Sequence, residues 1–426
     1  MAKTKRLLML AYFWPPMGGA GVQRALKLAK AAPDFGWEVS VVAGQARPGD
    51  LQDASMLAEV PAEMTVQRRD HLRVHTRLLT RWTPPDPYVA WYGPALNAAR
   101  ELALVQPFDA LLSTSMPYTT HLVARTLKHE LRLPWLADLR DPWTDNRFLS
   151  AYQGNGLRSR FRRAVDGRME RGVYDDADLV SVTAGPLRDL LIDRWHLLPE
   201  RVLLARNGFD EADFDGVLPL PSPRPPVDPA ERQDRALEVL FAGSLYEGYT
   251  IEPFLAAWEA LLARRPDVRI RLVAHTQAKG LLQRLVERFP VAGPLVEIGP
   301  RVPHHEIVAR YGRADMLVLS TLDALSIPGK LFEYIRSGTP VFACSVPDAE
   351  SHALLGDTQT GVAVPHDDPM AAAAQLERWY DAWRQGQPLT HPDGHAVELL
   401  ERRVSYRKMF AALDDLTEQF GAESPH

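Results

Sequence analysis

Residues 322–344, LDALSIPGKLFEYIRSGTPVFAC, decide how the rest of the chain is read. The run before them, residues 316–320 (MLVLS), is short and apolar, and charged Arg313 and Asp315 precede it. That is the pattern of a buried parallel strand. After a loop ending in Ile327-Pro328-Gly329, the residues Lys330-Leu331-Phe332-Glu333-Tyr334-Ile335 open a short helix. Ser337-Gly338 closes it, and Thr339-Pro340 leads into a second buried strand at 341–344. Such a βαβ unit sets Lys330 and Glu333 one helical turn apart at the carboxyl end of a sheet, where open α/β sheets bind ligands. Lys330 and the helix N-terminus favour an anion, and Glu333 accepts hydrogen bonds from paired hydroxyls. This order suits a nucleotide diphosphate with its ribose.

The segment resembles the donor-site signature of the family 4 glycosyltransferases of GT-B fold. Those enzymes carry Glu, seven residues, then Glu, followed by a small-residue helix and Gly-x-Pro-Val. Glu333 and Gly338-Thr339-Pro340-Val341 match the second half, and Leu325 stands where the first Glu falls. The resemblance extends more weakly over nearly the whole chain. It implies an α/β architecture of two Rossmann-like, doubly wound domains facing a central cleft, with the nucleotide held mainly by the second.

The totals agree with two domains. The chain has 426 residues, 46% hydrophobic and 24% charged, which is long enough and apolar enough for two cores. A net charge of -5 argues against nucleic acid as a partner. Residues 1–215 hold 28 Lys+Arg against 26 Asp+Glu, so the acidic excess belongs to the remainder. The single cysteine, Cys344, excludes an internal disulfide and suits a reducing cytoplasm. Lys3, Lys5 and Arg6 before an apolar stretch mimic a signal peptide, but Pro15-Pro16 and Gly18-Gly19 follow it, so a first strand is expected. No apolar run approaches the roughly 20 residues of a membrane span.

Residues 7–12 read as that first strand, entering the loop Phe13-Trp14-Pro15-Pro16-Met17-Gly18-Gly19-Ala20-Gly21 and then a helix. Gly-rich strand-to-helix turns bring backbone N–H groups close to phosphates. Here Arg24 stands where the dinucleotide fingerprint has a third glycine, so ligand contact and a tight turn remain equal readings. The loop is similar to the first loop of family 4 enzymes, which implies Gly18 and Gly19 as donor contacts. A strand at 110–113 runs into Ser113-Thr114-Ser115-Met116-Pro117, where Ser115 is expected to cap a helix, with lining an acceptor pocket as the alternative. The strand at 135–137 ends in Asp138, Arg140 and Asp141, three charges that need partners. In the resembled family a His-Asp pair here contacts the transferred sugar, which implies that role for Arg140 and Asp141. Asp176-Ala177-Asp178 is read as a helix-to-strand junction rather than a metal motif, and Asn207-Gly208 leads toward a linker.

Proline-dense residues 216–236 separate a first domain, 1–215, from a second, 237–397, and a helical tail at 398–426 follows. In the resembled family that tail crosses back to the first domain. The second domain opens with a strand ending in Gly243-Ser244. Relatives place an Arg and then a Lys after this glycine, where this chain has Ser244 and Tyr249. Lys330 is the substitute, assisted by Arg301, Arg206 or Arg140. Arg301-Val302 lies where relatives contact the nucleobase. Donor contacts are therefore expected at Gly18, Gly19, Gly243, Ser244, Arg301, Val302, Ile327, Gly329, Lys330 and Glu333, and catalysis at Arg140, Asp141 and Lys330.

The expected activity is transfer of a sugar from a nucleotide diphosphate such as UDP to a hydroxyl. By resemblance it retains configuration and needs no metal or cofactor beyond the nucleotide-sugar co-substrate. The acceptor is a small molecule, a saccharide or a lipid-linked glycan, in polysaccharide, glycolipid or natural-product synthesis. A 2-epimerase on the same fold and a non-catalytic sugar-nucleotide binder are the alternatives. Arg69, Arg73, Arg77 and Arg81 recur every four residues. A second segment, 157–172, sets Phe161, Val165 and Met169 against Arg158, Arg162 and Arg163. These stripes suggest that the first domain of a cytoplasmic protein is guided to an anionic membrane, peripherally at the inner face, or to a lipid diphosphate acceptor. The alternative is an ordinary solvated surface.

Overall fold

The computed structural model describes residues 4–71, 83–146, 156–219, 228–243, 245, 250–300 and 302–423. The chain divides into two compact units, residues 1–206 with 403–426, and residues 207–402.

The first unit is built on seven parallel strands. They are β1 (Lys5–Leu10), β2 (Trp37–Gly44), β3 (Val66–Arg69), β4 (Ala110–Thr114), β5 (Trp135–Leu139), β6 (Leu179–Val182) and β7 (Val202–Leu204). Their order is β3-β2-β1-β4-β5-β6-β7. The apolar run Leu7–Leu10 is central because both edges pair, with β2 and β4, and its four side chains are fully buried. Helices Ala20–Ala31, Tyr92–Val105, Thr119–Leu131, Leu157–Asp176 and Gly185–Trp195 alternate with the strands. The helix Arg402–Glu423 belongs to this unit from Arg403 onward. Phe410 stacks on Phe35 at 5.1 Å, and Asp414 accepts hydrogen bonds from Lys5 and Trp37 at 2.7 and 3.1 Å.

The second unit repeats the design with β8 (Leu237–Ala242), β9 (Ile270–His275), β10 (Val296–Gly299), β11 (Met316–Thr321), β12 (Val341–Ser345) and β13 (Gly361–Pro365). All are parallel, in the order β10-β9-β8-β11-β12-β13. The decisive stretch forms the expected β11–helix–β12 unit. The helix runs Lys330–Ser337, and Gly338 closes it at φ 67°. Cys344 is buried in β12, where desolvation pushes its thiol up to about 12, so it packs rather than reacts.

Several local expectations are corrected. Residues 345–397, unassigned from sequence, supply the helices Ser351–Thr358 and Pro369–Arg384 with β13 between them. The tail is two helices, Gly394–Glu398 and Arg402–Glu423, interrupted where Glu401 pairs with Phe209. Arg69 lies in β3 and not in a helix, so the four-arginine stripe does not form as a helical face. Arg73, Arg77 and Arg81 lie outside the described residues. Among the described residues no helix is long and apolar enough to cross a membrane.

Candidate active site

Strand order reverses between β1 and β4 in one sheet and between β8 and β11 in the other. Crevices open at the carboxyl ends of strands at such switch points. In the second unit this brings together Gly243, which follows β8, and the helix Lys330–Ser337, which follows β11. The Lys330 ammonium lies 4.1 Å from the Phe241 ring centroid. A Cβ on Gly243 would stand 3.1 Å from Lys330 Nζ, and Gly243 has φ 133°, a conformation that excludes side chains. Among the described residues Lys330 makes no ion pair or hydrogen bond, and burial pushes it down to about 7, with Glu333 opposing. The N–H groups of Gly329 and Lys330 also lack partners among the described residues, since the helix's first closing bonds run from Leu331 and Phe332. One cation and two such donors at a helix N-terminus make the place favourable to an anion.

Glu333, one turn along, is held from the neighbouring helix His304–Arg313. His304 Nε2 donates to one carboxylate oxygen at 3.0 Å and the Tyr311 hydroxyl to the other at 3.2 Å. Burial raises the Glu333 pKa, but the His304 and Tyr311 hydrogen bonds and the charges of His304 and Arg402 outweigh it, leaving the group below the usual carboxylate value. It is therefore a preoriented anion at the mouth of the cation site. Sequence reading missed His304 and Tyr311. Their seven-residue spacing, two turns on one helix face, was the available signal.

Of the remaining donor candidates, Ile327 is buried within its loop, while Gly329 and half-buried Val302 precede the two helices. Ser244 and Arg301 lie outside the described residues. Asp323, two residues before Leu325, is consumed in its own loop, accepting from Leu325 N at 3.2 Å and Ser326 Oγ at 2.8 Å.

In the first unit the three charges at the end of β5 separate into different roles. Asp138 is fully buried and chelates Arg24 through Nε at 2.9 Å and Nη2 at 2.7 Å. Hydroxyls of Thr114 and Ser181 complete it at 2.9 and 2.7 Å. It is a structural ion, and its partner is the arginine that replaces the fingerprint's third glycine. Arg140 instead turns toward the Gly-rich loop. A Cβ on Gly21 would meet its Nη1 at 3.0 Å, its Nε donates to the Ser115 carbonyl, and burial lowers its pKa while Asp141 opposes. Gly18 and Gly19 lie in this loop, with Gly19 at φ 104° just before the helix Ala20–Ala31. Asp141 is half-buried beside Arg140. Ser115 is buried and accepts from the Arg140 backbone at 3.3 Å, whereas Tyr118 precedes the helix Thr119–Leu131, so Ser115 is not its cap. Asp176 binds Arg125 and His129, and Asp178 binds Lys128 and the Trp135 backbone, so both acids serve the junction.

Two family descriptions match the chain: "Glycosyl transferase 4-like domain" over residues 18–208 and "Glycosyl transferases group 1" over residues 236–382. The chain belongs to the family 4-like glycosyltransferases. The fold of this glycosyltransferase is shared by solved GT-B structures along nearly their whole length. Sucrose-phosphate synthase from Thermosynechococcus elongatus is 16% identical, with a TM-score of 0.65 over 99% of this chain and 100% of that one. The Anabaena HepE protein, solved in complex with UDP and glucose, is 15% identical, with a TM-score of 0.65 over 96% and 99%. A glycosyltransferase from Rickettsia africae is 11% identical, with a TM-score of 0.64 over 97% and 98%. No curated protein sequence matches this glycosyltransferase.

Proposed function

We propose that the enzyme transfers a hexose-type sugar from a nucleoside diphosphate, UDP foremost, to an acceptor hydroxyl, with retention and without a metal. The observation that carries this reading is Lys330, a buried amine that makes no ion pair or hydrogen bond among the described residues, set against Gly243 at a switch point. Breaking the sugar–phosphate bond puts negative charge on the departing diphosphate. Lys330 and the N–H groups of Gly329 and Lys330 stabilise that charge as it develops. In the second unit Glu333 accepts the ribose hydroxyls and Gly243 and Val302 border the nucleotide; in the first unit Arg140, held beside Gly21, and Asp141 are the residues assigned to the sugar. The resemblance of the donor segment to retaining enzymes supports retention, and the HepE complex with UDP supports the base. A thermal-shift series of nucleoside diphosphates tests the donor. UDP at 100 times its Kd is expected to add about 2.7 kcal/mol, against none for an unbound nucleotide. Release of UDP coupled to acceptor, undiminished by EDTA, distinguishes transfer from epimerisation and from binding alone. Loss of turnover in EDTA would overturn the metal-free step.

The enzyme works in the cytoplasm at the inner membrane face, in polysaccharide, glycolipid or natural-product synthesis. The first half of the helix Leu157–Asp176 supports the membrane contact. Leu157 and Phe161 are 84% and 71% exposed one turn apart, beside exposed Arg158, Arg160 and Arg163, with no acid before Asp166. Arg162, counted in this stripe from sequence, is instead buried against Asp166 and the Pro85 carbonyl. Each surface arginine near anionic lipid contributes about 1 kcal/mol, screened by salt. Vesicles containing phosphatidylglycerol are therefore expected to sediment the protein at low salt and phosphatidylcholine vesicles not. Replacing Leu157 and Phe161 by serine should abolish the binding, and equal recovery with both lipids would refute it.

A further inference from the structure

We propose that an aromatic platform at the carboxyl edge of β1 and β3 is the acceptor subsite, and that it takes a neutral saccharide. The inference rests on the sugar-transfer reading and narrows its acceptor.

The platform is built around Tyr12, which follows β1. Four rings surround it: Phe13 at 5.1 Å, His71 at 5.3 Å, Tyr88 at 4.5 Å and Trp91 at 5.3 Å. Gly44, the last residue of β2, makes the room, since a Cβ there would stand 2.5 Å from the Tyr12 ring. The floor is rigid. Tyr12 and Trp91 are buried, the Tyr12 hydroxyl pairs with His71 Nε2 at 2.7 Å, and Trp91 Nε1 donates to the Arg69 carbonyl at 3.1 Å. Phe13, His71 and Tyr88 remain half-exposed on top. Three supported rings left partly wet at the ligand-binding edge of a parallel sheet need an occupant with an apolar face.

The rim narrows what that occupant is. Arg47 and Asp70 form an exposed pair at 2.8 Å, and Asp50 adds a second acid close enough to act on Tyr12, His71 and Tyr88. Burial and Arg47 hold His71 down at about 4, so its ring is uncharged at neutral pH. Among the described residues the edge therefore offers no net positive charge to a phosphate. The Phe13 and Tyr88 rings meet at 78°, edge to face, leaving no parallel slot for a flat aromatic aglycone. What fits is a ring with C–H bonds on one face and hydroxyls around it. The C–H face lies on Phe13 or Tyr88, and the hydroxyls reach the Arg47–Asp70 pair and the Tyr88 hydroxyl, which has no partner among the described residues.

Saturation-transfer NMR on the full chain tests this with the methyl glycosides of glucose, galactose, mannose and N-acetylglucosamine. Glucose 1-phosphate and a flavonoid serve as the anionic and aromatic probes. At least one methyl glycoside is expected to receive saturation on the protons of one ring face. Affinity should fall about 10-fold or more in Phe13→Ala and Tyr88→Ala and less in Tyr88→Phe. UDP binding by each variant, followed by thermal shift, should stay within about twofold of the parent and certifies its fold. The proposal is overturned if no methyl glycoside receives saturation, if the signal persists unchanged in Phe13→Ala and Tyr88→Ala, or if only glucose 1-phosphate or the flavonoid binds. UDP binding without glycoside binding would sink this subsite and leave the donor reading standing, and the converse result would do the reverse.

Discussion

Replacing Lys330 by alanine is expected to weaken UDP binding about 100-fold while changing uridine binding no more than about twofold. The ammonium is the described charge set against Gly243 where the diphosphate is placed, and a charge-assisted contact in a partly dry site is worth about 3 kcal/mol. Glu333→Ala should instead weaken UDP and uridine alike, because both carry the ribose. Titration calorimetry with the two ligands checks the pair of results, and a Lys330→Ala protein that binds UDP normally refutes the assignment. The same lysine dictates a pH profile. In the free protein it loses its proton near pH 7, against an ordinary value of 10.5. A bound diphosphate favours the charged form, so above pH 7 binding takes up a proton and affinity falls as pH rises, by up to about tenfold per unit. Below pH of about 6 the terminal phosphate itself protonates, so affinity should peak between about pH 6 and 7. The unliganded fold responds oppositely. The unfolded chain holds more protons between pH 7 and 10.5, so stability gains from this group as pH rises through that window. A flat affinity profile from pH 6 to 9 would show that Lys330 does not face the diphosphate.

Asp138→Ala is expected to cost about 3–5 kcal/mol of stability, the penalty for stranding a buried guanidinium. Arg24 would lose both its bonds to the carboxylate, and the Thr114 and Ser181 hydroxyls would lose their acceptor. Chemical denaturation followed by tryptophan fluorescence reads the loss. Joining Arg24→Met to Asp138→Leu should recover most of it, because two apolar side chains leave no orphaned charge. Burial works to raise the Asp138 pKa, but Arg24 and the hydroxyls hold it below the usual value. Its contribution is therefore present at neutral pH and lost as pH falls below the ordinary carboxylate range. Arg140→Ala, two residues along the same chain, should lower turnover at least tenfold with unfolding unchanged. An Arg140→Ala protein that is destabilised yet turns over normally per folded molecule would reassign Arg140 to the scaffold beside Asp138.

The two residues show where sequence stops informing. Asp138 and Arg140 look alike in a string of charges after an apolar strand. Two residues apart, they would share one face of a continued strand. But β5 ends at Leu139, so Asp138 stays in the sheet's interior while Arg140, beyond the strand end, turns to the Gly-rich loop. Which direction is inward depends on the helix that covers the strand, here Ala20–Ala31 carrying Arg24.

Local periodicity and backbone preference were enough to specify the βαβ around residues 316–345, its closure at Gly338, and the spacing of Lys330 and Glu333. Sequence reading missed β3, four residues of mixed polarity with no alternation, and β13, a partly exposed edge strand whose apolar run is only three residues, 362–364. Tertiary structure alone decided that Gly243 meets Lys330, that His304 and Tyr311 orient Glu333, and that Gly44 opens a place for Tyr12. These contacts join residues distant in sequence through the order of strands in a sheet. Strand order follows from how whole faces bury one another, and no local window of residues contains that information.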